Sequence, residues 1–174
     1  MNFIPLDFEG VFAITSESKS DQRGSLLRVW EKSATFAKFQ IVESSYITNR
    51  IKGTLRGMHY QLPPFQENKI VLCLSGSIYD VGIDLRPESI TFMQHFALEI
   101  GGNCGFIGLV IPAGFAHGYI TLEDDSDLLY FMDAEYSDDS SAGIVWNDPM
   151  YGVNWPFQPI LISEKDQAWP LSFT

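Results

Sequence analysis

Residues Ile78 to Leu85 alternate in character. Tyr79, Val81, Ile83 and Leu85 fall on one face, and Asp80, Gly82 and Asp84 fall on the other. A period of two predicts a β-strand. The run Ile70-Val71-Leu72-Cys73-Leu74 is apolar throughout and reads as a buried strand, with Ser75-Gly76 as a tight turn into the next one. Val110-Ile111-Pro112 and Leu128-Leu129-Tyr130-Phe131 read as further strands. Turn-forming groups recur between such runs: Asp21-Gln22-Arg23-Gly24, Lys52-Gly53, Pro63-Pro64, Gly101-Gly102-Asn103 and Pro112-Ala113-Gly114. Helical signals are short. One covers Glu31 to Lys38, and a single turn follows Ser163, whose hydroxyl suits an N-cap. Many short strands joined by Gly/Pro turns predict an all-β domain, a jelly-roll or cupin-like β-barrel with a few short helices. Residues 1–174 contain no internal repeat, linker or low-complexity tract, so one domain is expected.

Composition narrows the function classes. The chain is 45% hydrophobic and 19% charged, as in ordinary globular proteins. Its net charge of −11 argues against general nucleic-acid binding, which needs clustered Lys and Arg. The few basic residues therefore carry more weight individually. Cys73 sits in an apolar run and reads as a core residue, and Cys73 and Cys104 lack zinc-site spacing. No window approaches a membrane span, and the first residues have neither a basic start nor a long apolar stretch. A cytoplasmic protein without membrane or nucleic-acid partners is expected.

Arg56-Gly57-Met58-His59-Tyr60-Gln61 is the segment densest in chemistry. On a regular strand Arg56, Met58 and Tyr60 share one face, while Gly57, His59 and Gln61 share the other. His59 and Gln61 then project side by side, with Gly57 leaving room for a ligand. A second segment, Pro112-Ala113-Gly114-Phe115-Ala116-His117-Gly118, sets His117 three residues after a turn glycine. A third, Ser163-Glu164-Lys165-Asp166, reads on composition alone as a solvated turn.

These segments resemble the dTDP-4-dehydrorhamnose 3,5-epimerases. The resemblance begins at Asp21-Gln22-Arg23-Gly24 and runs from Lys52-Gly53-Thr54-Leu55 through Gln61-Leu62-Pro63-Pro64 to Lys69. It continues through Asp80-Val81 and Asp84-Leu85-Arg86 to the Gly-Phe-Ala-His-Gly block, and ends with Trp146-Asn147-Asp148-Pro149, Trp155-Pro156 and Ser163-Glu164-Lys165-Asp166. It covers nearly the whole chain.

The resemblance implies removal of a proton from a carbon beside the 4-keto group of a nucleotide-linked sugar, and its return on the opposite face. The ketone spreads the resulting charge as an enolate. The resemblance makes His59 the base and Asp166 its partner; a carboxylate on one ring nitrogen frees the other to accept a proton. Tyr130 matches the opposing donor, and Lys69 matches a cation at the enolate oxygen. His117 matches a second histidine that contacts substrate. Arg23 and Arg56 match diphosphate-binding arginines, and Tyr136 matches an aromatic near the nucleotide or sugar. Gln61, beside His59, is read as a further substrate contact. No cofactor and no metal is implied. Family members are homodimers that exchange N-terminal strands, so Arg23 is expected to serve the neighbouring subunit. The chain departs from the pattern at Ser25-Leu26, where Phe-Phe is frequent, and at Glu43 and Ser45, where Gln and Asn are usual. Glu43 sets a negative charge near a phosphate-binding region, unfavourable unless paired. The rival readings are an epimerase acting at one carbon or on another 4-keto sugar, a metal-dependent cupin using His59, Glu67 and His117, and a non-catalytic sugar-binding barrel.

Overall fold

The computed structural model describes residues 1–31 and 39–172. The helix anticipated over Glu31 to Lys38 lies, beyond Glu31, outside the described residues. The strands are β1 (Asn2–Pro5), β2 (Phe12–Thr15), β3 (Lys19–Asp21), β4 (Gly24–Leu26), β5 (Glu43–Asn49), β6 (Thr54–Gln61) and β7 (Lys69–Ser75). They continue with β8 (Ser77–Asp84), β9 (His95–Gly101), β10 (Gly108–Ile111), β11 (Phe115–Thr121), β12 (Ser126–Met132), β13 (Ser141–Gly143) and β14 (Leu161–Ile162). A short helix α1 (Glu164–Gln167) and a 3-10 turn (Asp138–Ser140) complete the described elements.

One antiparallel sheet has the order β1-β2-β10-β7-β12-β5. The second has the order β13-β6-β11-β8-β9, with β14 added in parallel to β6. The architecture is all-β and jelly-roll-like: two packed sheets rather than one closed barrel. A small hairpin, β3-β4, stands apart from both.

The expected turn at Ser75-Gly76 exists, but it does not make a hairpin. β7 pairs with β10 and β12 in the first sheet, while β8 pairs with β9 and β11 in the second. The chain crosses between sheets at Gly76, whose positive φ of 67° suits glycine. A side chain there would meet Ser126.

Each sheet is covered on both faces. Between the sheets lie Val71, Ile78, Phe96, Ile100, Leu109, Phe115, Tyr119 and Leu128. Outside the first sheet, Ile14, Ile70, Leu72 and Val110 pack under Phe3, Trp30, Phe39 and Phe131. Outside the second, Met58, Val81, Ile83 and Ala116 pack under Ile144, Tyr151, Val153 and Trp155. The alternation of β8 is therefore real but oriented unexpectedly. Its apolar face points outward to the C-terminal segment, and its polar face, with Asp80 and Asp84 both 0% exposed, points between the sheets.

A buried carboxylate is tolerated only when fully partnered. Asp84 accepts from the Arg86 guanidinium twice at 2.8 Å, from the Ser89 and Thr91 hydroxyls at 2.6 and 2.7 Å, and from the Arg86 N–H at 3.0 Å. Arg86 also lies over the Phe115 ring and donates to the Glu9 carbonyl. Burial alone would raise the Asp84 pKa, but these donors, Arg86 first, hold it well below the usual carboxylate range.

Such a carboxyl stabilises the fold fully above its unfolded value, about pH 3.9, and ceases to do so as the pH falls through its lower native value. Asp84→Asn should therefore cost about 3 kcal/mol at pH 7, because it strands Arg86. Thermal melts from pH 7 downward should show the deficit shrinking below about pH 4. A deficit independent of pH would reject this account of Asp84.

Candidate active site

The site begins with a register change. His117 faces His59 across β11 and β6, but Tyr119 faces Arg56. One residue on β11, Gly118, thus opposes two on β6, Gly57 and Met58, which is a β-bulge. Gly57 makes it feasible. Its φ is +135°, and a Cβ there would lie 2.5 Å from the Gly118 Cα and 3.0 Å from the His117 carbonyl oxygen. The extra residue reverses side-chain parity. Arg56, expected on the face of Met58 and Tyr60, instead points inward with His59 and Gln61, and all three line one cavity. Met58 and Tyr60 pack into the outer cluster, and Tyr60 also lines the cavity.

The same edge of β6 brings in the C-terminus. Leu161 and Ile162 of β14 pair with Thr54 and Leu55. Ser163 then caps α1, its hydroxyl accepting the Asp166 N–H at 3.0 Å, as the sequence predicts. This sets Asp166, buried, against β6. Its Oδ1 lies 2.7 Å from His59 Nε2, and its Oδ2 accepts the Gly57 N–H at 3.2 Å. Burial pushes the Asp166 pKa up, but the His59 imidazole, the Gly57 N–H and Ser163 together hold it below the ordinary value. An ionised Asp166 keeps a proton on Nε2, which leaves Nδ1 of His59 as the acceptor. The tetrad that composition marks as a surface turn thus supplies the buried half of a His59–Asp166 dyad.

Lys69 is buried and pairs with Glu67 at 2.8 Å. Glu67 also accepts from Gln61 Nε2 at 2.7 Å. The Gln61 amide donates further to the Phe65 and Glu135 carbonyls and accepts the Ser137 N–H at 2.7 Å. Gln61 lines the cavity with its carboxamide committed to protein partners; it holds the loops around Glu67 and Glu135.

His117 Nε2 lies 2.9 Å from both Asp80 oxygens, and both residues are buried. Burial raises the Asp80 pKa against the lowering effect of His117 and Lys69. The Tyr130 ring lies 5.9 Å from the His117 ring, tilted 60° to it. Burial, aided by Tyr119 and Asp80, drives its phenol well above its ordinary value, so it stays a neutral proton donor. The residues weighed as metal ligands have separate partners: His59 faces Asp166, His117 faces Asp80, and Glu67 faces Lys69.

The cavity, about 340 Å³, is lined by Arg56, His59, Lys69, Tyr136, Lys165 and Asp166 among others. Tyr136 is exposed, and its N–H donates to Glu43 at 3.0 Å, so Glu43 has a partner. Arg23 is not brought to this cavity. It sits in the β3-β4 turn, 84% exposed and paired with Asp21; Ser25 and Leu26 share that exposed hairpin. Sequence reasoning did not single out Ser141, Ser163 or Lys165 as cavity residues. The last two lie inside the tetrad already quoted, so capping and helix phase were the available signal.

Asp166→Asn removes the charge that fixes the His59 tautomer. Turnover of the nucleotide-linked 4-keto sugar expected from the sequence should fall by roughly 10²- to 10⁴-fold, with KM little changed. Steady-state kinetics check this, and a variant within a few-fold of the parent would exclude the dyad.

The family model for dTDP-4-dehydrorhamnose 3,5-epimerase matches residues 5–172. A dTDP-4-dehydrorhamnose 3,5-epimerase of Sinorhizobium fredii is 34% identical over 174 residues, covering 98% of this chain and 89% of that protein. The crystal structure of the Bacillus anthracis dTDP-4-dehydrorhamnose 3,5-epimerase, with TDP and PPi bound, superposes with a TM-score of 0.90 at 30% identity, covering 98% of both chains. A 3'-monoepimerase from Streptomyces bikiniensis, in complex with dTDP-quinovose, reaches 0.84 at 26% identity and covers 95% of this chain and 85% of that one. The His59–Asp166 dyad therefore sits in a chain that belongs to the dTDP-4-dehydrorhamnose 3,5-epimerase family, and the protein is an isomerase.

Proposed function

We propose that this protein epimerises C3 and C5 of dTDP-4-dehydro-6-deoxyglucose, giving dTDP-4-dehydrorhamnose. The observation that carries the proposal is the His59–Asp166 pair, 2.7 Å apart, in a cavity that also holds Lys69 and Arg56. Nδ1 of His59 takes the proton from the carbon beside the ketone. The C–H electron pair moves into the carbonyl, and the oxygen gains the negative charge. The Lys69 ammonium stabilises that enolate, an effect strongest in a site shielded from water. Tyr130 returns a proton to the opposite face; its raised pKa suits a neutral donor. Proton exchange with solvent returns His59 to neutral imidazole and Tyr130 to neutral phenol, and repeating the cycle at the second carbon gives the double inversion.

Arg56 offers a forked donor to the diphosphate. Tyr136 serves the nucleotide or sugar. Gln61 and His117 support the sugar pocket, Gln61 by ordering loops and His117 through its pairing with Asp80. Residues 1–174 act as one epimerase domain. Two chains form a homodimer with exchanged N-terminal strands, and Arg23 reaches the partner's cavity; its exposure, away from its own cavity, fits that role. A cytoplasmic setting suits the two free cysteines.

Incubation of dTDP-4-dehydro-6-deoxyglucose in deuterated water tests the reading. The product should carry deuterium at both C3 and C5, and His59→Asn should lose the uptake. Label at one carbon alone would reject the double epimerase, and uptake unchanged in His59→Asn would remove that residue as base.

A further inference from the structure

We propose that Trp169 is a positioning residue for the base, its indole holding the His59 imidazole against Asp166. The inference rests on the epimerase reading of this cavity. The His59 side chain is 43% exposed. A single hydrogen bond at Nε2 sets a distance but leaves the ring free to pivot about it. The pivot is blocked by the indole of Trp169, which meets His59 edge-on with centroids 6.3 Å apart and planes at 66°, a favoured aromatic arrangement.

The local sequence is shaped for that wedge. Gly143 pairs directly with His59 across β13 and β6. A Cβ on Gly143 would collide with three ring atoms of Trp169, so the indole lies where only glycine leaves room. The segment is tied down on the far side. The Val145 N–H donates to the Pro170 carbonyl at 3.2 Å, and the Ser172 N–H donates to Asp148 at 2.8 Å. The Lys165 ammonium lies 5.5 Å from the centroid of the same indole and also lines the cavity. The stretch from Ser163 to Trp169 thus supplies the cap, a cavity cation, the carboxylate and the wedge in seven consecutive residues.

Two readouts test the role. In 15N-histidine-labelled protein without substrate, the His59 Nε2 proton should be protected from solvent exchange in the parent and in Trp169→Phe, which keeps a ring edge. It should exchange freely in Trp169→Leu and in Gly143→Ala. In turnover assays, Trp169→Leu should lower kcat on the order of tenfold while KM stays within about twofold, because a small misplacement of the base is felt in the chemical step. Gly143→Ala should do the same by displacing the indole, and the double variant should be no worse than the poorer single one. Equal Nε2 protection in Trp169→Leu, multiplying losses in the double variant, or melting of every variant at assay temperature would overturn the proposal. The proton readout needs no substrate, so a parent with a protected proton and no epimerase activity would reject the epimerase reading while leaving the positioning claim standing.

Discussion

At Gly57 and Gly118 two backbones approach so closely that neither position has room for a side chain. That contact admits one extra residue into β6, and the extra residue decides which side chains face inward. Without it, Arg56 would point to the outer cluster and His59 would lack a cationic neighbour on its own face. The same backbone supplies the Gly57 N–H that holds the second oxygen of Asp166. His59, Asp166 and Arg56 are therefore aligned by a single irregularity in one strand.

The second sheet carries an inverted polarity that makes the cavity expensive to build. Its apolar outer face is capped by the C-terminal segment through Ile144, Tyr151, Val153 and Trp155, which frees the inner face for polar groups. Each buried polar group there needs its own partner. Asp80 has His117, Lys69 has Glu67, and Arg56 and the Tyr119 hydroxyl both donate to Asn49. The result is a locally cationic cavity, with Arg56, Lys69 and Lys165, inside a chain of net charge −11.

Much of this is legible in the amino-acid order, because β8, β7, β10 and β12 carry strong period-two or apolar signals and the α1 cap is a local hydrogen bond. Alternation tells which residues of β8 share a face but not which face is inside; that depends on the distant segment from Ile144 to Trp155. The Ser75-Gly76 turn is local, yet whether it joins paired strands depends on β10 and β12. Arg56 appears on the wrong face because a bulge cannot be counted from one strand alone: the opposing Gly118 is its other half. The dyad itself emerges from family resemblance, since nothing local links His59 to Asp166, 107 positions apart. Trp169 has no signal in the sequence at all, its meaning set by Gly143 across the sheet edge.

On the proposed mechanism His59 and Asp166 act as one catalytic unit. The most direct measurement is a double-mutant cycle on solvent deuterium uptake into the 4-keto sugar nucleotide, comparing His59→Asn, Asp166→Asn and the pair. A shared function predicts that the double variant is no slower than the slower single variant. Losses that multiply in the double variant would contradict it, and would mean that the carboxylate acts apart from the histidine.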